Sequence, residues 1–219
     1  MGSSPYTAPI FFVRKKDTNE LCLVMDYRQL NKWTKRDHNP LPNMRTALEN
    51  LGNGKLFSKF NIRWGYKNLR IHPEDQYKAT FKTMFGTFIP AVTYFGLTNA
   101  PPTFQWVVHQ DLESLLQKYP REFGNYLNDT WIITDDDQKG IKCHRQITRE
   151  LLQFLKDKSY FLKASKCEFE VRELDLLGWH VGNGKLRIDP SKIAGLKEWP
   201  LILKNKLHVQ KTMGILNYL

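Results

Sequence analysis

Tyr126-Leu127-Asn128-Asp129 stands between β-prone runs, with Trp131-Ile132-Ile133 following on its far side. Asn128-Asp129-Thr130 is turn-forming, so a tight hairpin is expected to present an acidic position at its tip with apolar arms buried behind it. A carboxylate held that way can anchor a divalent cation; the amide beside it offers an oxygen without formal charge. Phosphoryl transfer is the chemistry with the greatest need of such anchors, because an attacking 3′-oxygen, a triphosphate and two cations must share a few ångströms. Two Mg²⁺ ions about 3.8 Å apart repel by roughly 17 kcal/mol even at an effective dielectric near 20, and anionic ligands must offset that. Asp135-Asp136-Asp137 is a second acidic cluster, but it follows the hairpin strand and opens a helix, where acids favour the helix N-terminus and solvent.

The elements that must position this hairpin can be read along the chain. Ile10 to Val13 and Leu21 to Met25 are short apolar runs on either side of Lys15-Lys16-Asp17-Thr18-Asn19, a basic-tipped hairpin. Asn43 can cap a helix beginning at Met44, and Gly52-Asn53-Gly54 stops it before a strand over Lys55 to Ile62. Tyr77 to Pro90 reads as extended, with turns at Gly86 and Pro90, and Asn99-Ala100-Pro101-Pro102 starts a helix whose stripe is Phe104, Val107, Val108, Leu112 and Leu115. A second amphipathic helix carries Ile147, Leu151, Phe154 and Leu155, and a strand is expected near Leu174 to Val181. Asp189-Pro190 opens a further helix. The fold class that results is α+β, an antiparallel palm sheet backed by helices.

Composition bounds the partners. The 219 residues, 41% of them hydrophobic, can bury one substantial core or two closely packed lobes. Lys and Arg outnumber Asp and Glu by 33 to 22, and the net +11 is spread along the chain, which favours an acidic partner with nucleic acid foremost. Cys22, Cys143 and Cys167 fit neither a disulfide framework nor a four-cysteine zinc site, and His144 beside Cys143 reads as part of a polar helix pair. No apolar run approaches a membrane span and no leader is visible, so no membrane partner is expected, a reducing intracellular compartment fits best, and the sequon Asn128-Asp129-Thr130 has little force.

Ordered motifs carry a resemblance. Ser4-Pro5-Tyr6-Thr7-Ala8-Pro9, Lys15-Lys16-Asp17, Asp26-Tyr27-Arg28-Gln29-Leu30-Asn31-Lys32 and Pro40-Leu41-Pro42 run in the order of reverse transcriptases. Phe57-Ser58-Lys59, Gly65-Tyr66, Phe95-Gly96-Leu97-Thr98-Asn99-Ala100-Pro101, Phe104-Gln105, Lys166-Cys167-Glu168-Phe169 and Leu177-Gly178 continue it over nearly the whole chain. The chain thereby resembles the fingers and palm of gypsy-type LTR retrotransposon reverse transcriptases. That resemblance implies RNA-directed DNA polymerase activity on an RNA or DNA template-primer, with dNTP as substrate in the active parent and Mg²⁺ held by three palm aspartates.

Two of those three positions fall on Asn61 and Asn128, leaving Asp129 as the one acidic ligand; Asn61 and Asn128 would bind metal weakly, and weak or absent Mg²⁺ binding follows. The family's triphosphate-holding arginine falls on Cys22, four residues before Asp26, and a neutral thiol cannot make a guanidinium's fork. The rest of the apparatus is present by the same carry-over. Lys15 would hold a phosphate at the fingertip, Tyr66 would lie beneath the sugar, and Lys166 would approach the phosphates. Arg28, Gly96 and Pro101 would line the template path, and Leu177-Gly178-Trp179 would grip the primer end. Read blandly, Lys15 is a solvated hairpin lysine, Tyr66 a core aromatic and Trp179 a half-buried strand residue.

By resemblance the organisation is 1–54 mainly fingers, 55–77 palm, 78–100 fingers return, 101–200 palm to primer grip and 201–219 the start of a truncated thumb or connection. Most of a thumb and any ribonuclease H domain are expected to be missing from this chain, and Met1-Gly2-Ser3-Ser4 reads as a trimmed start. Three changes that strike the active site and spare the scaffold motifs favour selection or deliberate inactivation over drift. Three functions stay open: a silent polymerase domain, a non-catalytic nucleic-acid-binding or assembly pseudoenzyme, and a protein-interaction remnant. The resemblance places the protein in the cytoplasm or a virus-like particle.

Overall fold

The computed structural model describes residues 4–14, 20–37, 39, 42, 51–52, 54–189 and 204–216. Lys15 and the basic tip, the cap at Asn43 with the start of its helix, and the helix expected from Pro190 lie outside the described residues. Strands β1 (Ala8–Arg14) and β2 (Leu21–Met25) form the expected antiparallel hairpin, with Ile10 opposite Met25 and Arg14 opposite Leu21. A short helix, α1 (Arg28–Trp33), follows.

The central strand β3 (Leu56–Asn61) is flanked in space by elements that come much later in the chain. Strand β4 (Phe81–Thr83) instead joins β1 in parallel and β5 (Gly86–Phe88) in antiparallel pairing, giving a sheet of order β2-β1-β4-β5. The stretch from Tyr77 is therefore not extended throughout. Pro73 opens a 3-10 segment, Pro73–Ala79, with Glu74 and Asp75 in its first turn, and extended backbone begins only at Phe81.

Helix α2 (Ala100–Lys118) starts on the expected prolines, and α3 (Gln138–Asp157) starts on Asp137, whose carboxylate accepts the Gly140 N–H at 2.6 Å. Between them run β6 (Phe123–Tyr126) and β7 (Asp129–Thr134); with β8 (Glu168–Val171) they complete an all-antiparallel sheet of order β6-β7-β3-β8. Period-two alternation sorts its faces. Phe60, Ile62 and Ile132 bury themselves against Phe104, Val108, Leu112 and Leu115 of α2 and Ile147, Leu151 and Leu155 of α3. Phe57, Trp131 and Ile133 face the other way, into a second core with Leu174, Leu176 and Val181. Asn61 and Asp129 continue this second parity, on the face away from the helices.

Leu174 to Val181 is two strands rather than one. Leu177 and Gly178 take φ of 53° and 79°, a reversal that joins β9 (Glu173–Leu176) to β10 (Trp179–Gly182), and β11 (Lys185–Ile188) completes a separate sheet of order β11-β10-β9. A last helix, α4 (Lys206–Leu216), ends the described chain.

Two buried polar clusters fix the palm. Gln105 lies on the apolar stripe of α2, accepts the Leu127 N–H at 2.5 Å and donates to Asn125 Oδ1 at 3.1 Å. Asn125 in turn donates to the Leu127 carbonyl at 3.0 Å and Thr130 Oγ1 at 3.2 Å, tying the turn between β6 and β7 to the helix. His144 of α3 is fully buried, with Nε2 2.7 Å from Ser58 Oγ of β3 and Nδ1 3.0 Å from Thr134 Oγ1 of β7. Ser58 Oγ also accepts the Glu170 N–H at 2.9 Å, so one imidazole organises three strands.

Gln105→Leu removes the acceptor for a backbone N–H and is expected to lower unfolding free energy by about 2 kcal/mol in urea titrations. Gln117→Leu, which loses only an exposed bond to Glu113 on the same helix, should cost less than about 0.5 kcal/mol. Burial pushes the His144 pKa below its ordinary value, outweighing the opposing charge of Glu170. A depressed histidine pKa means that the unfolded chain binds the proton first: the contribution of neutral His144 is intact above the unfolded histidine range and is lost as pH falls through it toward the folded pKa. Stability measured at pH 5.5 and 7.5 should therefore fall more steeply with acid in the native chain than in His144→Gln.

Candidate polymerase centre

The antiparallel register of β3 and β7 sets Asn61 directly opposite Asp129. The Asn61 side chain donates from Nδ2 to Asp129 Oδ1 at 2.7 Å, and Asn61 itself is only 6% exposed. The backbone around this pair is closed as well: Ile62 N–H donates to the Asn128 carbonyl at 2.7 Å and Lys163 N–H to the Asn61 carbonyl at 2.8 Å. The turn itself is Leu127-Asn128, with Leu127 at φ 51°, so Asp129 is the first residue of β7 rather than the hairpin tip. This shift by one position points Asp129 to the same face as Asn61.

The structure brings Asn61, Asn128 and Asp129 together, and their donor set can be tested against two divalent cations. One carboxylate and two neutral amides carry a single formal charge, and Asn61 turns its NH₂ group, not its oxygen, toward that carboxylate. Among the described residues no group of three or more His, Cys, Asp and Glu side chains could hold a metal ion. The set does not fit a pair of Mg²⁺ ions. Nor does the acidic triplet gather: Asp137 caps α3, Asp136 pairs with Arg172 at 2.7 Å and Asp135 lies 3.8 Å from Lys55.

Tyr66 sits in the 3-10 segment Gly65–Asn68 just past β3, edge-on to Phe95 at 5.0 Å and Phe104 at 5.8 Å. Partial burial raises the pKa of its hydroxyl, Tyr126 adding to the effect, and Tyr66 packs on the same core as Leu127 of the hairpin turn. Lys166 is exposed in the 3-10 turn Ala164–Lys166, and its N–H bonds the carbonyl of Lys163, the residue hydrogen-bonded to Asn61. Cys22 belongs to a different sheet, paired with Val13 in the β1–β2 hairpin.

Arg28 and Gly96 meet in one shallow cavity of about 510 Å³ that Phe11, Val24, Met25, Asp26 and Tyr27 also line. Arg28 forks onto Asp26 through Nε at 2.8 Å and Nη2 at 2.6 Å, and these hydrogen bonds lower the Asp26 pKa to about 2. The Arg28 side chain stays 85% exposed, so its remaining donors face solvent. Gly96 at φ 108° is obligatory: a Cβ there would sit 2.7 Å from the Met25 carbonyl oxygen. Asn31 locks this loop, donating to the Gly96 carbonyl at 2.7 Å and accepting the Thr98 N–H at 3.0 Å. Pro101 lies in the first turn of α2.

Leu177 and Gly178 form the β9–β10 turn with Trp179 as the first residue of β10. Leu177, Trp179 and Tyr126 pack on the same core, so the turn that ends in Asp129 and the turn at Gly178 are held by shared apolar contacts. Lys59 reinforces the link by donating to the Asp175 carbonyl at 2.6 Å. Gln105, Asn125 and Asn31 are the supporting residues that motif reading left without a role. Their available signal was an amide inside an apolar stripe or beside a turn, which marks a buried polar group in need of a partner.

Residues 13–181 match the family described as reverse transcriptase (RNA-dependent DNA polymerase). Over 99% of its length the chain is 30% identical to the retrovirus-related Pol polyprotein from transposon 297 of Drosophila melanogaster, covering 20% of that protein. Over 96% of its length it is 26% identical to the Tf2-3 polyprotein of Schizosaccharomyces pombe, covering 15% of it. The chain therefore spans about a fifth or less of the curated relatives it matches. Its fold is similar to the foamy viral protease-reverse transcriptase solved with double-stranded DNA, with TM-score 0.82, 19% identity, and coverage of 99% of this chain and 36% of that one. The same viral protein solved with an RNA/DNA hybrid gives TM-score 0.75 at 20% identity, over 99% of this chain and 28% of that one. The antiparallel palm sheet with its two backing helices is that of a right-hand polymerase. With the family match running from β1 through β10, this chain belongs to the reverse transcriptase family.

Proposed function

We propose that this chain is the fingers and palm of a gypsy-type retrotransposon reverse transcriptase whose polymerase centre is silent and whose grip on an RNA or DNA template-primer persists. The observation that carries this reading is the 2.7 Å bond from Asn61 Nδ2 to Asp129 Oδ1. In an active centre the corresponding carboxylates face each other and need cations between them; here an amide hydrogen occupies that line and satisfies the one remaining acid. Mg²⁺ binding is weak or absent, and dNTP is a substrate of the active parent rather than of this chain. Cys22 removes a further cationic contact to a triphosphate.

Binding draws on groups the substitutions leave alone. Arg28 and Gly96 line the fingers cavity, with Pro101 at the start of α2, as the template path, and Leu177, Gly178 and Trp179 hold the primer end from the turn anchored to Tyr126. Lys15 would add a fingertip phosphate contact, and Tyr66 and Lys166 keep the vestige of a nucleotide site. Residues 1–54 act mainly as fingers, 55–77 as palm, 78–100 as the fingers return, 101–200 as palm to primer grip and 201–219 as the beginning of a thumb or connection. The setting is the cytoplasm or a virus-like particle within the cell.

Primer extension with Mg²⁺ is expected to give no incorporation above background for the native chain, while Asn61→Asp with Asn128→Asp recovers metal-dependent extension and Cys22→Arg raises it further. Robust incorporation by the native chain would falsify the silent-centre reading. In parallel, template-primer affinity should fall linearly with the logarithm of salt concentration, the signature of phosphate contacts. Affinity indifferent to salt would point instead to a protein-binding remnant.

A further inference from the structure

Trp64 and Phe161 are 54% and 60% exposed, and neither packs into any of the three cores formed by the described residues. Their ring centroids lie 6.4 Å apart at 61°, and the Arg63 guanidinium stands 4.1 Å from the Trp64 ring centroid. Trp64 holds φ 60° and ψ 17°, a left-handed conformation that a bulky L-residue rarely takes. The backbone enforces it from both sides. Arg63 N–H donates to the Phe161 carbonyl at 2.6 Å, Asn68 Nδ2 donates to the Arg63 carbonyl at 3.1 Å and Lys67 N–H donates to the Trp64 carbonyl at 2.7 Å, while Ile62 bridges to Leu162. An outward Trp maintained by four local contacts is a built feature of the junction after β3.

The two chain segments that carry the pair hold charge of one sign. Residues 61–73 include Arg63, Lys67 and Arg70, and residues 158–167 include Lys158, Lys163 and Lys166; neither segment contains an Asp or Glu. Lys158 is engaged by Asp111 at 2.8 Å and Lys67 lies 5.2 Å over the Tyr94 ring, which leaves Arg63, Arg70, Lys163 and the exposed Lys166 in these segments, with Arg63 directly at the Trp64 ring. Flat apolar rings beside cations match an unpaired nucleobase joined to a phosphate: the base stacks, and the phosphate meets the basic side chains. We propose that Trp64 and Phe161, with Arg63, form a stacking site for an unpaired nucleotide, either free or in a single-stranded overhang. Stacking needs no metal ion, so the site operates with Asn61 and Asn128 as they stand, and it is separate from the grip on the duplex.

The test is fluorescence anisotropy with the full chain in EDTA, using a blunt DNA duplex, the same duplex with a single-stranded overhang of about ten nucleotides, and ATP as competitor. Trp64→Ala and Phe161→Ala are expected to weaken overhang binding about ten-fold and to leave blunt-duplex binding within about two-fold, while Trp64→Phe keeps most of the affinity and Trp106→Ala, at an exposed position on α2, changes nothing. Competition by ATP identifies a free nucleotide as an occupant; no competition with overhang binding intact identifies the strand, and either outcome supports the site. Equal binding of the overhang duplex by native chain and both alanine variants overturns it. So does a loss in which blunt and overhang duplexes suffer alike, or failure of Trp64→Phe to retain affinity in a folded chain. Failure of blunt-duplex binding in the native chain would count against the template-primer reading alone.

Discussion

The pairing of β3 with β7 is the constraint from which the centre follows. Its register puts Asn61 across from Asp129, and alternation along both strands commits these two to the face opposite α2 and α3. A slip of one residue would carry the pair into the apolar helix interface and bring Phe60 and Ile132 out of it. Register is secured from behind by His144 bridging Ser58 and Thr134, and from the end by Gln105 and Asn125 holding the Leu127-Asn128 turn. The polar groups inside this palm are therefore concentrated where strand alignment is decided.

What that alignment delivers is an electrostatically settled centre. Two facing carboxylates would repel and invite a cation, whereas an amide facing a carboxylate forms a charge-assisted hydrogen bond and invites none. Shape is nearly unchanged, because Asn and Asp differ little in size, so the sheet, the turn and the neighbouring turn at Gly178 can stay as they are. The cavity bounded by Asp26, Arg28 and Gly96 lies on other elements and does not depend on the Asn61 and Asn128 amides.

Much of this architecture was legible in the sequence, for physical reasons that differ by element. The 3.6-residue stripes from Phe104 to Leu115 and from Ile147 to Leu155 announced both backing helices, and the apolar runs on either side of Lys15 announced the β1–β2 hairpin. Leu174 to Val181 was misread as one strand because apolar residues on both sides hid the turn at Leu177-Gly178, where a leucine takes a positive φ usually left to glycine. Asp129 was placed one residue too far toward the tip, since turn propensity at Asn128-Asp129-Thr130 cannot reveal which pair takes the corner. For the site, the identity of Asn61 and Asn128 was visible, but the direction of the Asn61 amide was not; that depends on a partner 68 residues away. The bonds of Gln105 and Asn31 were equally invisible, because they join segments that only the packed fold brings together.

The most direct measurement is a Mn²⁺ titration followed by electron paramagnetic resonance, made on the complex with template-primer and a non-hydrolysable deoxynucleotide analogue. The native chain should show no tightly bound pair of ions, and Asn61→Asp with Asn128→Asp should acquire one. Two tightly held ions in the native complex would contradict the account at its root.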